Sequence, residues 1–394
     1  MSQATTIPVD SSGSSETPKP ARIHLDFLDG IRGLAALVVV FSHVFVLTLR
    51  HNTVDPQSFL GRVPTVLFTV GHASVAFFIV LSGYCLMLPV SRSGGVLSGG
   101  LLGFLKRRSR RILPPYFAAL VFSVLLLQFL PTIRLYLPEY YPVLDWKIIV
   151  SHALLIHNVL ENHVYKINGA HWSVATEWQI YFVFALMLLP VYRRFGIAAS
   201  VVLAGIIGVA PHFLFRGRVD AACFQYVSLF GFGMLAAEIG HGRLAAKYLS
   251  KAPFGRALIA AAILSVINVA LRGPERNAIV SDAITGFLAT ALIAYCTSCL
   301  QAGTKSRIVA FLSSPVPMAL GAFSYSLYLV HDPLLYACVA FTLKMGLSAG
   351  TQVLALCACV PLLVLVAYGF HLIFEKPFMT SARSTPKTHG NSQA

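Results

Sequence analysis

The stretch DFLDGIRGLAALVVVFSHVFVLTL, residues 26–49, is an apolar helix candidate interrupted by Asp29, Arg32 and His43. As a helix it would measure about 36 Å, enough to cross a hydrocarbon core about 30 Å thick. A charge at the bilayer centre costs about 2.5–3.5 kcal/mol, so these side chains are expected to have a structural or functional role. Arg32 and His43, eleven residues apart, return to within about 20° of one face at a separation of roughly 16 Å. A functional role for His43 is favoured over packing against a neighbouring helix.

The composition excludes an ordinary soluble protein. Hydrophobic residues make up 56% of the chain, charged residues make up 11%, and the mean hydropathy is +0.73. These values predict an all-α, polytopic membrane protein. The net charge of +15 is then interpreted as membrane topology, and no nucleic-acid partner is expected.

About ten transmembrane helices are predicted from runs of roughly 20 apolar residues. They are residues 31–50, 68–90, 112–130, 173–192, 197–215, 221–240, 257–271, 279–300, 319–341 and 352–374. With the N-terminus inside, 20 of the 30 Lys and Arg residues lie on the inner side, which favours an even number of spans and two cytoplasmic termini. A long outer loop, 131–172, is expected to contain one short or re-entrant helix near residues 148–160.

Five of the six residues KRRSRR, 106–111, are basic, and they lie at the predicted inner end of the third span. Arg108 and Arg111 share a face if that helix begins early. Guanidinium groups form bidentate hydrogen bonds with phosphate, which predicts an anion site. Contact with anionic lipid head groups explains the cluster equally well.

Two further segments place polar residues within predicted spans. Trp172 is expected to be an interfacial anchor, with Glu177 about 7 Å deeper and Tyr181 one turn later. Counting by depth, Glu177 and His43 could meet, which makes Glu177 the best carboxylate to orient the imidazole. In the second span, Ser82 and the following glycine allow a ligand or another helix to approach closely.

The ninth predicted span contains His331, Asp332 and Pro333. Proline removes a backbone donor, so the helix is expected to kink or break near His331. Capping this kinked helix is favoured over ligand binding as the role of His331.

Five motifs occur in order along the chain: LDGIRGLAA (28–36) with His43, FFIVLSGY (77–84), RSRRILP (108–114), WSVATEWQIY (172–181) and SYSLYLVH (324–331). Together they resemble the acyltransferase 3 family of integral-membrane O-acyltransferases. Two positions depart from the family pattern, since Tyr84 replaces the commoner phenylalanine and Trp178 follows Glu177 at a second position that is acidic in relatives. The resemblance implies one transmembrane acyltransferase domain, residues 25–378, between disordered cytoplasmic tails at 1–24 and 379–394.

The resemblance also implies a reaction in the cytoplasmic membrane. Acyl-CoA, with acetyl as the expected acyl group, would donate to a hydroxyl of a glycan or glycolipid, and no permanently bound cofactor or metal is expected. His43 would be the general base, or in a second alternative the acyl carrier, with Glu177 as its partner. The implied donor-binding residues are Arg32, Arg108, Arg111 and Ser82, and the implied supporting residues are Asp29, Tyr181, Trp172, Tyr325 and His331.

Two other functions remain open at this point. A transporter or exporter could use Asp29, Arg32, His43 and Glu177 as a relay, although it predicts an inverted repeat that the motifs do not show. A sensor or scaffold with the family fold would tolerate replacement of His43.

Overall fold

The computed structural model describes residues 25–51, 59–140, 145–248, 253–270 and 278–379. Within these ranges the regular structure is helical and no strand occurs, which confirms the all-α prediction. The predicted tail at 1–24, and residues 380–394 of the predicted C-terminal tail, lie outside the described residues.

Sixteen α-helices make up the described fold. In chain order they are α1 (Asp26–Arg50), α2 (Phe59–Arg92), α3 (Gly100–Phe129), α4 (Pro131–Tyr136), α5 (Trp146–Ala153), α6 (His171–Val183), α7 (Leu189–Leu214), α8 (Tyr226–His241), α9 (Ala245–Tyr248), α10 (Phe254–Ala270), α11 (Ala278–Gln301), α12 (Arg307–Leu312), α13 (Pro315–Ala322), α14 (Ser324–Lys344), α15 (Ala349–Phe370) and α16 (Lys376–Met379). A π-helical turn, Phe184–Leu188, joins α6 to α7, and another, His371–Glu375, joins α15 to α16.

Eight helical segments of the described chain are long and apolar enough to cross a membrane. One of them, His171–Leu214, is 44 residues long and turns at Gly196, where φ is 84° and ψ is −178°. Its length suits two crossings, and α10 is a shorter apolar helix. Each of the ten predicted spans therefore falls on helix, although the boundaries differ.

Two boundary predictions need correction. The third span begins at Gly100, so Arg108 and Arg111 lie within a helix and one turn apart. The ninth predicted span is divided at Phe323, which leaves helical φ and ψ between α13 and α14.

The predicted outer loop, 131–172, contains two short helices, α4 and α5, where one was predicted, and it then descends into the bundle. Helix α5 has eight residues, about 12 Å, too short to cross. Asn168, near the end of the loop, donates to Ser123 Oγ at 3.0 Å, and Ser123 lies six residues, about 9 Å, before the end of α3. Helix α6 therefore begins inside the bundle instead of at its outer boundary.

Of the two expected outcomes at Pro333, a kink or a break, the break does not occur, since α14 runs through this residue from Ser324 to Lys344. Proline leaves the carbonyl four residues earlier, that of Leu329, without its helical donor. Asn168 Nδ2 donates to that oxygen at 3.0 Å. A side chain from the descending loop thus replaces the missing bond, and the helix continues.

Glycines allow the central helices to approach closely. A Cβ at Gly33 in α1 would meet the backbone of α13 at Pro317, and one at Gly321 would meet Asp29. In the same way a Cβ at Gly233 in α8 would meet the Val80 carbonyl of α2. Close backbone contact of this kind is how membrane helices associate.

We expect Gly233→Ala to lower the free energy of unfolding by about 1–3 kcal/mol, because the methyl group has to separate two packed backbones. Thermal denaturation in detergent measures the change. The matched control is Gly205→Ala in α7, where a Cβ would meet nothing within 4 Å. Equal melting temperatures for the two variants would contradict the close α2–α8 contact.

A second prediction concerns His157, which is fully buried in the outer loop and stacks on His152 at 3.9 Å between ring centroids. Burial, followed by the neighbouring His152, lowers the pKa of His157 to about 3. The unfolded chain therefore takes up a proton that the folded chain excludes, and stability falls as pH drops below about 6.5. Between pH 7 and pH 5 the loss should be about 2 kcal/mol.

His157→Phe should reduce this acid sensitivity, since phenylalanine does not titrate. Thermal denaturation of both proteins at pH 7 and pH 5 tests the expectation. An undiminished pH dependence in the variant would show that His157 is not its source.

Candidate active site

A cavity of about 240 Å³ lies between α1, α2, α3, α6 and α14. Its wall combines three guanidinium groups, one carboxylate and several hydroxyl groups, which suits a polar, anionic ligand. The polar lining residues are Arg32, Ser82, Arg108, Arg111, Ser173, Glu177, Tyr181, Ser324, Tyr325 and Tyr328, with Cys85 beside them. The apolar lining residues are Val75, Phe78, Ile79, Leu86, Ile112 and Val174.

The three arginines predicted to bind the donor come together in this cavity. Arg32 is fixed by an ion pair with Asp29, 2.7 Å from Nη1 to Oδ1, and its Nη2 donates to Cys85 Sγ at 2.9 Å. Arg108 and Arg111 enter from α3. The Nε of Arg108 is buried and has no hydrogen-bond partner within the described part of the chain. Since buried donors are normally hydrogen-bonded, this Nε is expected to bind an acceptor atom of a ligand.

Glu177 lies in the wall of the same cavity. Its Oε1 accepts a hydrogen bond from Tyr181 Oη at 2.6 Å, and that hydroxyl lies 3.4 Å from Ser82 Oγ. The predicted pairing of Glu177 with His43 is therefore wrong. It assumed that α6 begins at the outer boundary, whereas α6 begins within the bundle and places Glu177 among the arginines.

The carboxylate beside His43 is that of Asp332 in α14. His43 Nδ1 lies 2.8 Å from His331 Nε2 and 3.5 Å from Asp332 Oδ1. His331 Nδ1 in turn lies 2.7 Å from the carbonyl oxygen of Tyr328. His331 thus bonds a backbone carbonyl of its own helix through Nδ1 and contacts His43 through Nε2.

These three side chains could also hold a metal ion, because their ligand atoms all lie within 4.8 Å of one another. Two ligands of a tetrahedral zinc ion, each about 2.0–2.1 Å from the metal, are roughly 3.3 Å apart. The 2.8 Å between His43 and His331 is instead the length of a hydrogen bond.

His43 does not line the cavity, and Tyr328 connects the cavity wall with His331, the partner of His43. The Tyr328 ring contacts Phe78 in the cavity wall, at 6.0 Å between centroids, and His331 at 5.7 Å. Its hydroxyl lies 2.6 Å from Ser173 Oγ and donates to a backbone carbonyl at 3.1 Å. Tyr328 thus belongs both to the cavity wall and to the surroundings of the His43–His331 pair.

Two other predicted site residues have defined positions. Tyr325 donates from its hydroxyl to the carbonyl of Ile112 at 3.2 Å, at the cavity wall. Trp172 is partly buried and packs against His72 and Tyr226, with ring centroids 6.1 and 5.7 Å apart.

Sequence reasoning missed Asp332 and Glu375. Asp332 follows His331 directly, which was the available signal. Glu375 Oε2 accepts from the Ser326 hydroxyl at 2.5 Å and lies 2.9 Å from His371 Nδ1. It also accepts from the Ser326 backbone at 3.3 Å, so this buried carboxylate stabilises the start of α14.

Comparison with known protein families gives a match over most of the chain. A family model described as an acyltransferase domain matches residues 25–372. The chain is similar to "Protein 2 in picA locus" of Rhizobium radiobacter, with 28% identity over 195 residues that cover 47% of this chain and 88% of that protein. No solved structure matches significantly.

Proposed function

Because this chain belongs to the acyltransferase 3 family and is a multi-pass membrane acyltransferase, we propose that acyl-CoA is its donor and a glycan or glycolipid hydroxyl its acceptor. Acetyl is the proposed acyl group. The observation that favours this function is the cavity with three guanidinium groups, where the buried Nε of Arg108 has no partner among the described residues. Tyr328 in the cavity wall is one helical turn from His331, the hydrogen-bond partner of His43.

The phosphate groups of acyl-CoA are proposed to bind Arg32, Arg108 and Arg111. Arginine binds phosphate through paired N–H donors, and three guanidinium groups outnumber the single carboxylate of the wall. Glu177 is the acceptor available to the amide N–H and hydroxyl groups of the pantetheine arm. We therefore propose that Glu177 binds the donor and is not the partner of the base His43.

The thioester would reach His43 by passing Tyr328. The distance from Arg32 to His43 along α1 is roughly 16 Å by helical rise, which an extended pantetheine arm can span. We propose that the Tyr328 side chain, which lines the cavity and contacts His331, rotates when the donor binds so that the thioester can pass.

His43 is the proposed general base. It would take the proton of the acceptor hydroxyl as the oxygen attacks the thioester carbonyl, so that a C–O bond forms and the C–S bond breaks. The imidazolium then returns the proton to the leaving thiolate, which gives free CoA. A positioned base of this kind contributes typically 10²- to 10⁴-fold.

We place both termini in the cytoplasm and the protein in the cytoplasmic membrane. The excess of basic residues on the side where α1 begins supports this orientation. The arginine cavity then opens toward cytoplasmic acyl-CoA, and the acceptor arrives from the opposite side.

Arg108→Ala should weaken binding of CoA by about 10- to 100-fold, because it removes charge-assisted hydrogen bonds of about 1.5–3 kcal/mol in total. Isothermal titration of the purified protein in detergent with CoA measures the dissociation constant. The matched control is Arg110→Ala, which removes an equal charge from an exposed position two residues away. Equal affinities for the two variants would remove Arg108 from the donor site.

His43→Ala should lower the release of free CoA from acetyl-CoA by at least about 100-fold while CoA binding stays unchanged. Radiolabelled acetyl-CoA, supplied to membranes from cells that produce the protein, also reports transfer of the label to an acceptor. A transporter or a scaffold predicts no CoA release that depends on His43. Undiminished release by the variant would exclude His43 as the base.

A further inference from the structure

We propose that His331 and Asp332 are positioning residues that fix the tautomer of His43, so that Nε2 is its basic nitrogen. This inference rests on the proposed function, in which His43 removes the acceptor proton. It assigns a role to a buried pair in α14 and identifies which edge of the imidazole faces the reaction.

The Tyr328 carbonyl can only accept a hydrogen bond. His331 Nδ1, 2.7 Å away, must therefore donate and has the proton. A neutral imidazole has one N–H, so His331 Nε2 has a lone pair.

His43 Nδ1 lies 2.8 Å from that lone pair and must supply the proton between the two rings. The ring centroids are 4.9 Å apart and the ring planes differ by 18°. At a fixed N···N distance of 2.8 Å, the two ring centroids are farthest apart when the two nitrogens point directly at each other. The observed centroid separation is close to that maximum, so the contact has the geometry of a hydrogen bond. With its proton on Nδ1, neutral His43 has its lone pair on Nε2.

Asp332 favours the same tautomer. Its Oδ2 accepts from the Tyr336 hydroxyl at 2.7 Å, and its Oδ1 lies 3.5 Å from His43 Nδ1. A carboxylate accepts only, so both neighbours of Nδ1 favour a proton there. When Nε2 takes up a second proton, the negative charge of Asp332 stabilises the imidazolium.

The burial of the three side chains fits this division of roles. His331 is fully buried, and the Asp332 side chain is 4% exposed, whereas the His43 side chain is 27% exposed. The pair in α14 is enclosed, and His43 is the member of the group that a substrate can reach.

Matched variants at residue 331 test the hydrogen bond. His331→Leu removes the acceptor and should lower kcat by about 10- to 100-fold with little change in the KM for acetyl-CoA, because the arginine cavity is untouched. His331→Gln places an amide oxygen near the former Nε2 and should restore most of the lost kcat. Asp332→Asn should also lower kcat at unchanged KM, since it removes the charge beside His43.

A sharper test methylates Nδ1 of His43 by site-specific incorporation of Nδ1-methylhistidine. The methyl group leaves the lone pair on Nε2 whatever the neighbour at 331, and His331→Ala makes room for it. In the His331→Ala background this residue should therefore recover kcat relative to ordinary His43.

Labelled acetyl transfer in membranes and melting temperature are measured for every variant. The control His241→Leu removes a histidine that bonds Tyr84 at 3.0 Å, away from His43 and the cavity, and should keep its kcat. A wild-type kcat for His331→Leu, or no recovery with the methylated residue in a stable protein, overturns the inference alone. Retained activity in His43→Ala overturns the proposed base and this inference together.

Discussion

The ion pair between Arg32 and Asp29 at the start of α1 is the interaction on which the site depends. A guanidinium inside a membrane helix is costly unless its charge is neutralised and its donors are bonded. Asp29 supplies the charge from one turn earlier, and Cys85 of α2 accepts a further hydrogen bond. The backbone of Asp29 packs directly on Gly321 of α13. The same few residues thus fix α1 against its neighbours and direct Arg32 into the cavity.

Much of this arrangement could be predicted from sequence because it depends on positions within one helix. The apolar runs gave the helices, and the spacing of Arg108 and Arg111 gave their common face once α3 began early. The basic clusters indicated a common side for all three arginines. Each of these predictions follows from helical geometry and the cost of exposing charge to lipid, which act locally.

Contacts between distant segments were harder to predict. The depth of Glu177 was counted from an assumed boundary, but the outer loop enters the bundle and moves the start of α6 inward. The same loop brings Asn168 to the Leu329 carbonyl, which Pro333 leaves without a helical donor. The helix therefore continues at a proline where the local sequence allows a break. Neither effect has a signal in the local sequence, because each depends on how a long connection folds back.

The site has two parts that share α14. Tyr328 faces the cavity on one side and gives its backbone carbonyl to His331 on the other. Its side chain is held by hydrogen bonds of the hydroxyl, which a donor can displace, whereas its carbonyl is fixed by the helix. A rotation that opens the cavity toward His43 would therefore leave the hydrogen bond that sets the His331 tautomer in place. Movement of the Tyr328 side chain when the donor binds therefore does not disturb the Tyr328 carbonyl, which orients His331 and through it the base His43.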